Sequence, residues 1–140
     1  MEALKRRLPV GYPFLLIDRV VEQGPEKVVT QKCVSIGEPF FQGHFRPPWP
    51  SIMPGTLILE GMAQTAGLLL GEEGLGVLAA VERARFHRPV VPGDRLVYRA
   101  RLRRRRGDLV QVQVEAEREG ERVAEAVVTL MRWEDVGTDR

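Results

Sequence analysis

The sequence predicts an α+β domain in which one antiparallel sheet wraps around a single long, buried helix. Three observations carry that expectation. The stretch Thr56–Leu70 holds no proline and only two glycines, and it begins directly after Pro54-Gly55. The chain after Val77 reads as long alternating segments separated by Pro-Gly-Asp, Gly-Asp and Gly turns. Finally, the helical stretch is apolar around most of its circumference, through Leu57, Ile58, Leu59, Met62, Ala63, Ala66 and Leu68 to Leu70. A helix with almost no wet face must be enclosed, and a single sheet cannot enclose both sides, so a second protomer is expected.

Each element follows from local chemistry. Phe14–Glu22 (FLLIDRVVE) reads as a first strand, after the breaks at Pro9, Gly11 and Pro13. Val28–Ser35 alternates β-branched and polar residues and follows the Gly24-Pro25 turn. Glu38–Met53 is interrupted by Pro39, Pro47, Pro48 and Pro50 and reads as a long loop, a kind of segment that is usually functional. The helix is expected over Pro54–Leu70, because proline in a first turn sacrifices an N–H that has no partner there anyway. Val77–Phe86 is a strand, and Leu96–Arg105, Leu109–Glu117 and Arg122–Trp133 form a three-strand meander with one face buried and one wet.

Composition narrows the function classes. The 140 residues suit one domain spanning 1–140, with enough chain for a core without disulfide staples. A lone cysteine, Cys33, excludes an internal disulfide and fits a reducing, cytoplasmic setting; within its alternating run it is expected to be a small buried residue rather than a nucleophile. No run approaches the roughly 20 apolar residues of a membrane span, and Met1–Leu8 lacks the hydrophobic stretch of a secretory signal. A net charge of +2 is too mild to imply nucleic acid. No Gly-rich phosphate loop, cysteine cluster or metal-ligand spacing is present. The arginines at 99, 101 and 103–106 read first as the solvated face of an edge strand. They also suit an acidic protein or a phosphate-bearing carrier, and they suit nucleic acid less well, since no set of stacking aromatics accompanies them.

Two residues stand out for chemistry. His44 lies in Gln42-Gly43-His44-Phe45, just ahead of the helix, whereas His87 sits at a strand end beside Arg88, as a solvated rim residue would. Glu60 is the only charged residue between Met53 and Gly71, on a narrow stripe Thr56–Glu60–Gln64. Taken singly, His44 reads equally as a surface or capping residue and Glu60 as the wet edge of a helix. Taken together they offer a base and an acid. A carboxyl bordered by Leu59, Gly61 and Ala63 is expected to be poorly solvated, which favours its protonated form. An imidazole base and a carboxylic acid are the pair that removes a proton from carbon and hands one to a leaving hydroxyl. Gly55 adds a backbone N–H at the positive end of the helix, where a developing oxyanion is stabilised. Gly55 and Glu60 are about 7.5 Å apart along the axis and about 140° apart around it. The two face different surroundings, so His44 is expected to meet the Glu60 of a neighbouring subunit.

The ordered motifs Tyr12-Pro13-Phe14-Leu15-Leu16-Ile17-Asp18-Arg19-Val20, Gly37-Glu38-Pro39-Phe40-Phe41-Gln42-Gly43-His44-Phe45, Met53-Pro54-Gly55 through Glu60 to Gln64, and Arg85-Phe86-His87-Arg88-Pro89-Val90-Val91-Pro92-Gly93-Asp94 closely resemble the FabZ-type (3R)-hydroxyacyl-[acyl-carrier-protein] dehydratases. The resemblance implies the hot-dog fold, no metal or organic cofactor, and an acyl carrier protein as the bearer of a phosphopantetheine-linked substrate in fatty acid biosynthesis. It also implies a homodimer, of a kind that in the family often assembles further as a trimer of dimers; with the composition, the expected setting is cytoplasmic, with neither nucleic acid nor membrane as partner. By position, His44 matches the family's catalytic histidine, Glu60 the carboxylate supplied by the partner chain, and Gly55 the backbone donor for the oxyanion. Glutamate rather than aspartate at position 60 looks like the simple dehydratases, not the dehydratase-isomerases. Two departures are evident: Arg46–Met53 is two residues longer than the family pattern, bringing in Trp49, and Val10-Gly11 replaces a usual His-Arg pair. A hot-dog thioesterase and a non-catalytic acyl-binding hot-dog subunit are the alternative readings.

Overall fold

The computed structural model describes residues 8, 10–70 and 75–133. Among them, six strands form one antiparallel sheet: β1 (Arg19–Gln23), β2 (Lys27–Cys33), β3 (Leu75–Phe86), β4 (Arg95–Arg106), β5 (Leu109–Arg118) and β6 (Glu121–Trp133). Their spatial order is β1-β2-β4-β5-β6-β3, so β1 and β3 are the two edges. One helix, α1 (Gly55–Gly67), continues into a 3₁₀ turn at Leu68–Leu70 and lies in the concave side of the sheet. This is the hot-dog arrangement.

Alternation along the strands makes the wrap. In β5, Val110, Val112, Val114 and Ala116 are buried while Gln111, Gln113 and Glu115 are half-buried on the outer face. In β4 the inward set is Leu96, Tyr98 and Ala100. These side chains meet Ile58, Met62, Ala66 and Leu68 of the helical segment in a single core. The meander is closed by turns of the kind each sequence demands. Glu119 (φ 52°) and Gly120 (φ 79°) both take positive φ, the signature of the two-residue turn whose twist matches a hairpin.

Polar side chains tie the helical segment to the sheet at Thr65 and at its C-terminal end. Thr65 Oγ1 donates to Gly61 O and shares a 2.8 Å bond with Thr30 Oγ1 of β2. At the C-terminal end, Arg105 Nη2 donates to Leu69 O and Arg132 Nη2 to Leu70 O, cations placed where the helix carbonyls are left without partners.

Several expectations need correction. The first strand is shorter than Phe14–Glu22, because Phe14 and Leu16 give their backbone groups to the Gln64 side chain rather than to a neighbouring strand. Cys33 is exposed, not buried: in β2 the inward positions are Val28, Thr30 and Lys32, and Cys33 has the opposite parity. β4 is an interior strand, not an edge, and Arg99 and Arg101 are paired on both sides, whereas residues 103–106 run beyond the end of β2 and pair with β5 alone. The long loop contains a 3₁₀ turn at Pro39–Gln42. α1 starts at Gly55 with Pro54 as its N-cap, one residue after the expected start.

Candidate active site

The Glu38–Met53 loop is organised around its histidine. Phe41 N–H bonds to Glu38 O and His44 N–H to Phe40 O, which closes the 3₁₀ turn onto the residue that follows it. Beyond His44 the chain folds into a short hairpin. Ile52 N–H donates to His44 O and Phe45 N–H to Pro50 O, while Trp49 N–H closes the tip on Arg46 O. The extra residues of Arg46–Met53 therefore form the tip of a closed turn, with Trp49 exposed at its end.

The ring of His44 is fixed by the same hairpin. Its Nδ1 lies 2.6 Å from Ile52 O. A carbonyl oxygen only accepts, so Nδ1 carries the hydrogen, and in the neutral ring Nε2 is left with the lone pair. Phe45 stacks on the imidazole with centroids 4.0 Å apart. His44 is half-buried. A base with one nitrogen anchored and the other free is what proton abstraction needs.

From Ile52 the chain runs directly into α1. Met53 N–H bonds to Val90 O, and Leu57 and Ile58 N–H both bond to Pro54 O. The N–H groups of Gly55 and Thr56 precede this first helical bond and point out of the helix end. Phe86 lies over Gly55, and a Cβ there would fall 3.3 Å from Phe86 Cδ1. A cavity of about 220 Å³ opens beside the helix start, lined among others by Ile52, Gly55, Ile58, Phe86 and Val90.

Glu60, by contrast, is held through a different set of residues. Gln64 Nε2 donates to Glu60 Oε2 at 2.9 Å and to Phe14 O, while its Oε1 accepts from Leu16 N–H at 2.9 Å. Both amide hydrogens are spent, so the orientation of Gln64 is set and with it one oxygen of Glu60. The carboxyl is half-buried, with Leu59 beside it also half-buried, and is thus more open than its apolar neighbours led one to expect. No hydrogen bond or ion pair joins His44 to Glu60 within the chain. The structure thus brings His44 and Gly55 to the two ends of the Ile52–Pro54 strap and leaves Glu60 on a separate support.

His87 stands on the rim as expected, exposed and 2.7 Å from Glu125 Oε2. This contact, followed by the Arg122 charge, holds the Glu125 carboxyl below its ordinary value. The sequence reading placed Gln64 only on a polar stripe and missed its reach to Phe14 and Leu16, which are 50 and 48 residues away. The i,i+4 spacing from Glu60 was the visible signal; the other two bonds had none. Among the described residues no group of His, Cys, Asp and Glu is placed to hold a metal ion, and no helix is long and apolar enough to cross a membrane.

Comparison with known proteins gives a consistent set of relatives. Residues 8–127 match the family model described as a FabA-like domain. The chain is 48% identical over 128 residues to the 3-hydroxyacyl-[acyl-carrier-protein] dehydratase FabZ of Polynucleobacter asymbioticus, covering 87% of this chain and 85% of that protein. It is 44% identical over 135 residues to the FabZ of Streptococcus gordonii, covering 93% and 95% respectively. Among solved structures, the dehydratase heterocomplex ApeI:P from Xenorhabdus doucetiae superposes with a TM-score of 0.80 at 20% identity, over 92% of this chain and 90% of that one. A hypothetical thioesterase from Streptococcus pneumoniae superposes with a TM-score of 0.73 at 12% identity, over 96% and 97%. At such identities the two structures speak for the fold alone.

Proposed function

The chain belongs to the FabA-like family, among its FabZ dehydratases, and from that premise we propose that it removes water from (3R)-3-hydroxyacyl-[acyl-carrier-protein] to give the trans-2-enoyl thioester in fatty acid biosynthesis. The observation that carries the assignment is the anchored imidazole, with His44 Nδ1 bonded to Ile52 O and Nε2 free.

In this reading His44 Nε2 takes the proton from C2 of the acyl group. The thioester oxygen gains negative charge and is stabilised by the Gly55 N–H at the helix start. The electron pair left on C2 forms the C2–C3 double bond as the C3–O bond breaks, and Glu60 gives its proton to the departing hydroxyl, which leaves as water. The proton on His44 returns to Glu60 through solvent before the next turnover.

The acid and the base come from two subunits. Within one chain His44 bonds to Ile52 O and Glu60 to Gln64, with no mutual contact. β3 offers the surface for pairing: it is an edge strand of 12 residues, and Leu78, Val81 and Phe86 are exposed along it. A long, apolar open edge is a liability for a free monomer and suits a twofold partner presenting the same strand. A cytoplasmic homodimer, with further assembly as a trimer of dimers, completes the reading.

Two inactive variants test it. His44→Ala and Glu60→Ala chains are each expected to lose crotonyl-thioester hydration by about 100-fold or more, and mixed dimers recover activity because one of their two sites is intact. No recovery on mixing overturns the shared site. Release of free thiol in place of hydration makes the protein a thioesterase, and binding without turnover makes it an acyl-binding subunit.

A further inference from the structure

Lysine is rarely buried without a partner, yet Lys32 occupies an inward position of β2 at 5% exposure. Its ammonium lies 2.7 Å from Glu38 Oε2 and 3.8 Å from Asp18 Oδ1. These two carboxylates begin different structures. Glu38 caps the 3₁₀ turn whose last carbonyl-to-amide bond, from His44 N–H to Phe40 O, fixes the backbone of the histidine. Asp18 binds the Cys33 N–H and ends the segment whose Phe14 and Leu16 backbone groups hold Gln64, and through it Glu60.

A 3₁₀ turn of four residues has little stability of its own, and the side chain of its capping residue makes no cap bond. The Glu38 side chain is instead drawn inward to Lys32. In that low-dielectric setting an ion pair is strong in one geometry and costly in others, so it acts as a pin.

We propose that Lys32 is a positioning residue: from inside the core it pins Glu38, and with it the turn that holds the backbone from which the His44 ring reaches Ile52 O, while its second carboxylate, Asp18, ties the segment that holds Gln64 to the same point. The inference rests on the reading of His44 as the base, and it adds a residue that touches neither substrate nor reacting atom.

Lys32→Met keeps the length of the side chain and removes the charge. The expected result is a kcat for crotonyl-thioester hydration about 10- to 100-fold lower, the range that a misplacement near 1 Å produces, with KM little changed. The second readout is the nitrogen NMR signal of the imidazole. It is recorded in a His87→Gln background, where His44 is the only histidine. With Lys32 present, His44 is the single tautomer with hydrogen on Nδ1; in Lys32→Met it becomes a mixture of the two. Should Lys32→Met fail to fold, Glu38→Gln is read in the same way, since Glu38 lies nearer the surface and its backbone cap remains. Where both variants fold, the double variant is expected to be no worse than the poorer single one. An unchanged kcat overturns the proposal, as does a fall in kcat with the tautomer unchanged. If the unaltered protein shows no hydration, the assignment as a dehydratase fails, while the tautomer comparison still decides the role of Lys32.

Discussion

At the scale of the residue, the proposed chemistry rests on three hydrogen-bonded side chains of different kinds, His44, Glu60 and Gln64. His44 has one ring nitrogen tied to a carbonyl, which leaves the other with a defined job. Gln64 performs two tasks with one amide: it orients Glu60 and it satisfies Phe14 O and Leu16 N–H, backbone groups that no strand partners. Replacing Gln64 by leucine removes both. Unpaired buried backbone groups cost about 1–3 kcal/mol, so Gln64→Leu is expected to lower the denaturant midpoint by that equivalent. Steady-state kinetics of the folded fraction should show a reduced kcat as Glu60 loses its fixed oxygen. Full activity per folded molecule would exclude the orienting role. His44 and Glu60 could be singled out as candidates in the sequence because each is the lone residue of its kind in its segment. Gln64 and Lys32 were not, because their partners are distant in the chain and only folding brings them near.

Among the elements, α1 is held closer to the sheet than most side chains permit. A Cβ at Gly61 would fall 2.5 Å from Tyr98 Cζ and closer still to the hydroxyl oxygen. Tyr98 is fully buried, and its hydroxyl has no hydrogen-bond partner among the described residues; burial, aided by the Asp18 and Glu38 charges, raises its pKa. Gly61→Ala must push helix and strand apart, and overpacking of this sort costs about 1–3 kcal/mol. Thermal unfolding should register it as a lowered Tm, and the paired substitution Tyr98→Phe should recover part of the loss. The helix and the β4–β5–β6 meander were readable from periodicity and turn residues, since local chemistry dictates both. Phe14–Ile17 was not. Its apolar run has the composition of a strand, but its hydrogen bonds are claimed by a helix side chain, a tertiary event that no window of sequence contains.

For the whole molecule, two features reach beyond a single site. In the proposed dimer the exposed edge β3 is the surface that a second copy covers. Leu78→Lys is therefore expected to shift the protein from dimer to monomer in sedimentation, with loss of activity; an intact, active dimer would place the interface elsewhere. The second feature is the response to acid. The carboxyl of Glu125, held low by His87 and Arg122, is charged at pH values where the unfolded chain already takes up a proton. A depressed folded pKa contributes stability that is fully present above the ordinary glutamate value of about 4.5. That stability is lost as pH falls through the lower, folded one. Glu125→Gln should accordingly flatten the dependence of stability on pH below about 4.5, measured by denaturant titration at successive pH values. An unchanged slope would show that the pair is too exposed to matter.

The hairpin that carries His44 keeps its register in the bonds between His44 and Ile52 and between Phe45 and Pro50, while the turn from Arg46 to Trp49 only closes the end. Length and placement are thereby separated. Residues can be gained or lost at that tip over evolutionary time, or grafted there by design, while the histidine stands still.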